Sequence, residues 1–264
     1  MANPQQEGTE MAGKVVVVTG GTKGIGRAIA TRFLELGAEV VICARKAPEI
    51  AVSVGAGAAA RDAHFVAADV REPDQAARVI DEAVARHGRL DLLVNNAGGS
   101  PPADAATASP RFSAAIIGLN LLAPLHLAQR ANAVMQKQDA GGLIINIASI
   151  SALRPSPGTA AYGAAKAGLV HLTQSLAIEW APRVRVNSIS AGLIQTPDTT
   201  QHYGDAAALA RVAATIPLGR LGQPGDVADA CVLLASSSAT WISGSNLVVH
   251  GGGERPAFLG AVSS

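Results

Sequence analysis

The 264-residue chain has few aromatic residues, 3% in all, and only two cysteines. With so few rings, we expect a core built from aliphatic side chains and close backbone contacts. Cys43 and Cys231 lie far apart in the sequence, each inside an apolar run. They are interpreted as reduced core residues, not as a disulfide or a metal-binding pair, and no metal site is predicted.

The chain also has no large excess of charge of either sign, since it contains 21 lysine and arginine residues and 20 aspartate and glutamate residues. A nucleic acid or an anionic membrane would ordinarily select a basic face, so neither partner is expected. The start MANPQQEGTE lacks the basic and apolar parts of a signal peptide. No apolar run approaches the roughly 20 residues that span a bilayer. We therefore expect a cytoplasmic protein.

Short apolar runs alternate with helix-length amphipathic segments along most of the chain. The runs lie at 14–19, 39–44, 64–69, 90–95, 143–149, 183–189 and 246–251, and the amphipathic segments at 24–36, 73–87, about 110–137, 160–180 and 224–236. Uninterrupted apolar strands indicate burial on both faces, as in a parallel sheet covered by helices. The pattern predicts an α/β protein, a single-domain Rossmann fold with a doubly wound, seven-stranded parallel sheet.

The domain organisation predicted from composition is simple, because no stretch resembles an interdomain linker. Residues 1–12 are predicted to form a flexible N-terminal extension and residues 13–264 a single domain. The stretch 192–215 is less regular than the rest and is predicted to be a mobile substrate loop.

A glycine-rich turn follows the first apolar run, in VVVVTGGTKGIGRAIA. Gly20, Gly24 and Gly26 stand between a buried strand and an alanine-rich helix, where glycine permits a tight turn and lets a pyrophosphate approach the helix N-terminus. A nucleotide-hydrolysing P-loop is excluded, because Lys23 is followed by glycine and not by serine or threonine. The turn predicts dinucleotide binding.

The end of the second strand bears on which dinucleotide is bound. It reads ICARK, with Arg45 and Lys46 where folds that prefer NAD usually place a carboxylate, and Lys23 adds a cation from the glycine turn. A 2′-phosphate needs such cations. NADP(H) is therefore favoured and NAD(H) remains possible, the alternative being that Arg45 and Lys46 are solvated loop charges.

The stretch SPGTAAYGAAKAGL places a tyrosine and a lysine four residues apart. On a helix, Tyr162 and Lys166 project from one face. A phenol has a pKa near 10 in water, and a neighbouring ammonium lowers this pKa towards the range of a general acid or base. Ser149 ends a buried strand upstream and could reach the same cleft, where a serine and a tyrosine would stabilise negative charge on one oxygen.

These features together resemble the short-chain dehydrogenase/reductase family, from Lys14 to about Gly252. TGGTKGIG resembles its cofactor turn, ADV its adenine contact, NNAG its fourth-strand motif, YGAAK its Y-x-x-x-K motif and RVNSISAGLIQT its nicotinamide segment. The cofactor-binding residues that the resemblance and the motifs imply are Gly20, Thr22, Lys23, Gly24, Ile25, Gly26, Arg45, Lys46, Asp69, Val70, Asn96, Ala97, Gly98, Tyr162, Lys166, Ile194 and Thr196.

The resemblance also implies a catalytic tetrad. Tyr162 would donate or accept the proton and Ser149, thirteen residues before it, would orient the substrate. Lys166 would bind the nicotinamide ribose and lower the pKa of the tyrosine. Asn120, in GLNLLAPL, would hold a water of a proton relay. Each residue also has a structural interpretation, such as Asn120 capping a helix bend, but the four together favour an enzyme over a non-catalytic dinucleotide sensor.

Two positions depart from the family's pattern. Ala191 precedes Gly192 where proline is usual, which frees one backbone dihedral, and His250 stands where aspartate is common; no catalytic role is assigned to it. The resemblance further implies a homodimer or homotetramer. The expected reaction is reversible hydride transfer between NADP(H) and a ketone or secondary alcohol. A 3-oxoacyl thioester is one candidate substrate, and a steroid, cyclic or sugar-type alcohol is the alternative.

Overall fold

A computed structural model describes residues 11–197 and 204–256. In chain order, the strands and helices are β1 (Val15–Thr19), α1 (Gly24–Glu35), β2 (Glu39–Ala44), β3 (Ser53–Val54), β4 (Arg61–Asp62), β5 (His64–Ala67), α2 (Pro73–His87), β6 (Leu92–Asn95), α3 (Pro110–Ile117), a π-helical turn (Gly118–Leu122), α4 (Ala123–Met135), β7 (Gly142–Ser149), α5 (Ala160–Glu179), β8 (Val184–Ala191), α6 (Ala206–Thr215), α7 (Pro224–Ala235) and β9 (Asn246–Val249).

The main sheet has seven strands in the order β5-β2-β1-β6-β7-β8-β9. Every neighbouring pair is parallel. The strand order reverses direction between β1 and β6, so the carboxyl ends of these two strands open a crevice of the kind in which doubly wound folds bind ligands. The predicted α/β fold, its parallel sheet and its seven strands are confirmed.

Apolar side chains pack against both faces of the sheet. In β1, Val16 and Val18 contact one core cluster together with Phe33 of α1, whereas Val15 and Val17 contact the other, which includes side chains of α2, α4 and α5. Because adjacent side chains of a strand point to opposite faces, the unbroken VVVV run is what a doubly covered strand requires.

Both cysteines are buried and free, as the sequence predicts. Burial raises the pKa of the Cys43 thiol to about 12 and raises the pKa of the Cys231 thiol as well. Thiols in such surroundings stay protonated and unreactive, so the two residues behave as small apolar core residues.

Local sequence signals account for several helix ends. Helix α2 begins with Pro73 at its first position and is followed by Gly88, whose φ of 74° closes the helix in the left-handed conformation. Ser109 accepts a hydrogen bond from the Phe112 amide at the start of α3, and Asp205 accepts one from the Ala208 amide at the start of α6. These side chains satisfy backbone donors that a helix leaves unpaired.

Four features differ from the predicted pattern. A short hairpin of β3 and β4 follows β2, and the predicted helix at 110–137 contains the π-helical turn. Helix α6 lies within the stretch predicted to be a mobile loop, and residues 198–203 of that stretch lie outside the described residues. Met11, predicted to lie in the N-terminal extension, is buried in the core.

One helical stretch among the described residues, Pro110–Met135, is long and apolar enough to cross a membrane by length and composition alone, with a mean hydropathy of 1.4. Leu127, Ala131 and Met135 of this stretch are buried in the core, and α4 packs against α2. We therefore interpret the stretch as a helix of the layer that covers the sheet.

Candidate active site

The glycine turn after β1 needs glycine for two physical reasons. Gly20 and Gly24 have φ of 65° and 55°, in the left-handed region that other residues rarely adopt. Position 26 has no room for a side chain, because a Cβ there would lie 2.2 Å from the Gly20 carbonyl oxygen and 2.4 Å from Asn96 Nδ2. The turn therefore brings backbone to the cleft at the start of α1.

Thr19 joins this turn to the segment after β6. Its buried hydroxyl accepts hydrogen bonds from the Asn96 and Ala97 amides, both at 2.9 Å. In the other direction, Asn96 Nδ2 donates to the Thr19 carbonyl oxygen at 2.8 Å. These bonds hold the two walls of the crevice between β1 and β6 at a set separation, and they commit the Asn96 side chain to the protein backbone.

Charged residues cluster where β2 and β5 end. Arg71 donates to the carboxylate of Asp69 through Nε, at 3.0 Å to Oδ1, and this hydrogen bond holds the pKa of the Asp69 carboxyl below its ordinary value. Arg45 is exposed and lines the cleft next to these residues. Lys46 follows it directly and is not among the described residues that line the cleft.

Lys166 is buried beneath the cleft floor, with only 3% of its surface exposed. Its ammonium donates to the Ile147 carbonyl oxygen at 2.7 Å and lies 5.7 Å from the centroid of the Tyr162 ring. Burial lowers the pKa of the Lys166 ammonium to about 8, because removal from water disfavours the charged form. The spacing of the two residues on α5 thus places a positive charge against the phenol, as predicted.

Replacement of Lys166 by methionine is expected to stabilise the protein at neutral pH, because burial lowers the pKa of the ammonium from 10.5 to about 8. The gain is at most about 3 kcal/mol, since the hydrogen bond to the Ile147 carbonyl oxygen is lost. The unfolded chain binds this proton more tightly than the folded protein does. Burial of the ammonium therefore destabilises the wild type fully below pH 8, and this destabilisation disappears as the pH rises to about 10.5. Urea denaturation of both proteins from pH 6 to 10.5 checks this. A variant less stable than the wild type at pH 7 would contradict it.

Asn120 lies in the π-helical turn and is completely buried. Its Nδ2 donates to the Ile116 and Gly99 carbonyl oxygens at 2.9 and 3.0 Å, and its Oδ1 accepts from the Gly99 amide at 2.9 Å. A Cβ on Gly98 would lie 2.7 Å from this Oδ1 and 3.2 Å from Lys166 Nζ. Asn120 therefore positions the loop behind which Lys166 is buried.

A cleft of about 890 Å³ joins these parts. It runs from the ends of β2 and β5, past the glycine turn, to the predicted catalytic end, where Ser149 and Tyr162 line it with Lys166. The Ser149 hydroxyl accepts a hydrogen bond from the Ser151 amide at 3.1 Å. One cleft thus contains a phenol, a hydroxyl and an ammonium beside the glycine turn that was predicted to bind a pyrophosphate, and this combination would permit proton transfer next to a bound dinucleotide.

Several known proteins that are similar to this chain in sequence and fold are oxidoreductases. A family model described as enoyl-(acyl carrier protein) reductase matches residues 20–254. An uncharacterized oxidoreductase of Mycobacterium tuberculosis is 40% identical over 240 residues, which cover 90% of this chain and 91% of the relative. The 3beta-hydroxysteroid dehydrogenase 1 of Eggerthella lenta is 36% identical over 250 residues, covering 92% and 94%. The ligand-free aldohexose dehydrogenase of Thermoplasma acidophilum superimposes with a TM-score of 0.84 at 30% identity, covering 92% of this chain and 95% of that one.

This chain is a short-chain dehydrogenase/reductase. The predicted family resemblance is confirmed, and with it the class of reaction, oxidation or reduction at an alcohol or ketone. Which residues of this short-chain dehydrogenase/reductase perform the reaction, and with which dinucleotide, stays a prediction.

Most of the predicted site residues of this short-chain dehydrogenase/reductase meet in the cleft. Those that line it are Gly20, Thr22, Lys23, Gly24, Ile25, Gly26, Arg45, Asp69, Val70, Asn96, Ala97, Gly98, Ser149, Tyr162, Lys166, Ile194 and Thr196. The segment after β8 comes close to the glycine turn, because a Cβ on Gly24 would lie 3.7 Å from Thr196 Cγ2. Of the predicted set, Lys46 and Asn120 are not among the residues that line the cleft.

The sequence patterns did not single out several residues that support or line the enzyme's cleft. Thr19 lies behind the cleft and joins its two walls by hydrogen bonds. The sequence feature that could have indicated it is a single hydroxyl residue at the end of an apolar strand. Arg71 lines the end near β2 and β5, and Arg154 lines the catalytic end. The loop 150–159, between Ser149 and α5, was not predicted to form part of the pocket, and several of its residues line it.

Proposed function

We propose that this protein is an NADP(H)-dependent short-chain dehydrogenase/reductase that interconverts a ketone and a secondary alcohol. The observation that carries the proposal is the shared cleft of Ser149, Tyr162 and Lys166 with the glycine turn. A protein that only senses a dinucleotide has no need of a phenol facing a buried ammonium.

The residues of the cleft fit a dinucleotide. Gly20, Gly24 and Gly26 would accept the pyrophosphate at the N-terminus of α1, where backbone amides point outward and a side chain at Gly26 cannot be accommodated. Asp69 and Val70 would adjoin the adenine, and Ile194 and Thr196 the nicotinamide. Asn96, Ala97 and Gly98 would form the wall opposite the glycine turn, held there by Thr19.

The bound dinucleotide supplies or removes the hydride, and the side chains manage the proton and the charge on oxygen. The hydroxyls of Ser149 and Tyr162 would both donate to the substrate oxygen and stabilise the negative charge that develops there. Tyr162 would then give its proton to that oxygen in reduction, or take it in oxidation.

Lys166 would act through Tyr162 and the cofactor ribose. Its ammonium faces the phenol ring at 5.7 Å from the centroid, and a positive charge at this position favours the phenolate form. Because the ammonium is held by the Ile147 carbonyl oxygen and buried, little of its charge is screened by water. Asn120 keeps Gly99 in place beside it, and a role in holding a water of a proton relay is part of this proposal.

The preference for NADP(H) rests on Arg45. This exposed guanidinium lines the cleft directly after β2, where a 2′-phosphate would lie. Replacement of Arg45 by alanine is expected to weaken NADPH binding by about tenfold or more, the size of a lost charged hydrogen bond, and to leave NADH binding nearly unchanged. Fluorescence titration with both dinucleotides measures this.

Lys46 provides the matched control, because it carries the same charge one residue later and is not among the described residues that line the cleft. Its replacement by alanine should leave the affinities for both dinucleotides within about twofold, as expected for a surface charge. Tighter binding of NADH than of NADPH by the wild type would contradict the proposed preference.

The substrate is proposed to be a small polar ketone or alcohol. The described lining of the catalytic end includes the hydroxyls of Ser149, Ser151, Ser156 and Thr159, which favour a small 3-oxo compound over a steroid. Relatives include a steroid dehydrogenase and an aldohexose dehydrogenase. NADPH-dependent reduction assays on 3-oxoacyl thioesters, cyclic ketones, steroids and sugars decide among the classes.

A homotetramer, or a homodimer, in the cytoplasm is also proposed. Large apolar side chains are exposed in two regions, with Ile117, Leu122 and Ile178 on the helices of one face and Trp241 and Val248 near the edge strand β9. Exposed apolar groups of this size favour contact with another subunit.

A further inference from the structure

The charges along the cleft are unevenly distributed. Among the described residues that line it, the charged ones are Lys23, Arg45, Asp69, Arg71, Arg154 and Lys166. The single carboxylate, Asp69, belongs to the end near β2 and β5 and is held by Arg71. The catalytic end therefore presents cations only, Arg154 and Lys166, and an anionic group is favoured there.

Of these two cations, Lys166 is already engaged below the surface, because its ammonium is buried and donates to the Ile147 carbonyl oxygen. Arg154 is different, since 41% of its side chain is exposed. Its planar guanidinium matches a carboxylate, to which it can donate two parallel hydrogen bonds.

The loop that carries Arg154 is held firmly. The amides of Leu153 and Arg154 both donate to the Ile150 carbonyl oxygen. Ser156 Oγ donates to Ser151 Oγ at 3.1 Å, and a Cβ added to Gly163 of α5 would lie 3.1 Å from the Ser151 carbonyl oxygen. The loop thus packs tightly on the helix that carries Tyr162, which keeps Arg154 at a set place relative to the phenol.

The Arg154 guanidinium is already paired with a carboxylate of the protein. Glu254 Oε1 accepts a hydrogen bond from Arg154 Nη2 at 2.6 Å, across 100 residues of sequence, and Arg154 Nη1 donates to the Pro155 carbonyl oxygen. Glu254 is itself not among the described residues that line the cleft, and it lies in a segment tied to the end of α6 by the Arg255 amide. A partly exposed ion pair of this kind is weak and can exchange partners.

We propose that Arg154 binds a carboxylate of the substrate, which replaces Glu254, so that the enzyme selects oxo acids or hydroxy acids over neutral ketones and alcohols. The inference rests on the proposed function, because it assumes reduction at Ser149 and Tyr162. A single arginine fits a group of one negative charge, as a carboxylate is, and no second exposed cation stands beside it among the described residues that line this end.

The test compares acetoacetate with methyl acetoacetate, which present the same ketone with and without the charge. The quantity measured is the ratio of kcat/KM for the acid to kcat/KM for the ester, with NADPH. Arg154→Gln should lower this ratio by about tenfold or more, the effect of losing a hydrogen bond between charged groups. Glu254→Gln should raise it by about threefold, because the competing carboxylate is gone.

The opposite directions of the two changes separate the proposal from a purely structural ion pair. Both variants break the same bond, so a structural role predicts that they shift the ratio in the same direction or not at all, and either result overturns the inference. Arg32→Gln is the control, since it breaks the surface pair with Asp229 on another face and should leave the ratio unchanged.

The inference and the proposed function fail in distinguishable ways. Turnover of neutral ketones without any preference for the acid, in the wild type, overturns the role of Arg154 and leaves the proposed function standing. A preference for acetoacetyl-CoA over acetoacetate that Arg154→Gln abolishes overturns the assignment of a carboxylate. No turnover of any ketone, acid or neutral, contradicts both.

Discussion

Replacement of Tyr162 by phenylalanine is expected to reduce turnover by about a thousandfold or more while the affinity for NADPH stays nearly unchanged. The substitution removes one oxygen atom and keeps the ring against Lys166, so the proton donor is lost and the packing is kept. General acid or base catalysis by one side chain contributes about 10² to 10⁴ in rate, and Tyr162 would also stabilise charge on the substrate oxygen.

Steady-state reduction assays and NADPH titration of the variant measure the two quantities separately. Thermal unfolding provides the control, because an unchanged transition shows that the lost activity is not lost folding. Turnover equal to that of the wild type would exclude Tyr162 as the proton donor and would contradict the proposed mechanism.

The second large effect is expected at the glycine turn. Alanine at position 26 would place a methyl group 2.2 Å from the Gly20 carbonyl oxygen and 2.4 Å from Asn96 Nδ2. Neither atom can yield easily, since Gly20 is main chain and Asn96 Nδ2 donates to the Thr19 carbonyl oxygen. We expect Gly26→Ala to lower the free energy of unfolding by about 1 to 3 kcal/mol, as overpacked core positions do.

We also expect Gly26→Ala to weaken NADPH binding by about a hundredfold or more. The displaced turn is the proposed pyrophosphate site, and misplacement of binding groups by about 1 Å has effects of this size. Urea denaturation and NADPH titration measure both.

Gly225→Ala is the matched control. Gly225 is a helical glycine near the start of α7, and a Cβ there would have no heavy atom within 4 Å. Alanine is the better helix former, so stability should be unchanged or rise by up to about 1 kcal/mol, with NADPH affinity unchanged. If Gly26→Ala behaved like Gly225→Ala, the glycine turn would not be tightly packed against the wall formed by Asn96.

The fold followed closely from the sequence because its signals are local. The runs at 39–44 and 143–149 were predicted as strands, and the structure has strands at Glu39–Ala44 and Gly142–Ser149. The helix at 73–87 was predicted to the residue. Apolar runs without alternation are needed wherever a strand is covered on both faces, so this pattern could be identified without knowing the partners of any strand.

The hairpin of β3 and β4, and the π-helical turn at Gly118–Leu122, were not predicted. Strands of two residues are too short to show a period, and a π-helical turn changes the hydrogen bonding of a helix without changing its apolar face. In that turn, Asn120 makes three hydrogen bonds to main-chain groups of Ile116 and Gly99. The sequence pattern did not predict these three hydrogen bonds of the asparagine side chain.

The sequence by itself determined the strand and helix pattern, the glycine turn and the position of Tyr162 and Lys166 on one helical face, because each depends on residues within about one turn of one another. Only the tertiary structure decided that Arg45, and not Lys46, lines the cleft, that Thr19 clamps Ala97 across 78 residues, and that Arg154 meets Glu254 across 100. Such contacts depend on where distant segments come together on the sheet, and composition and spacing carry no record of that.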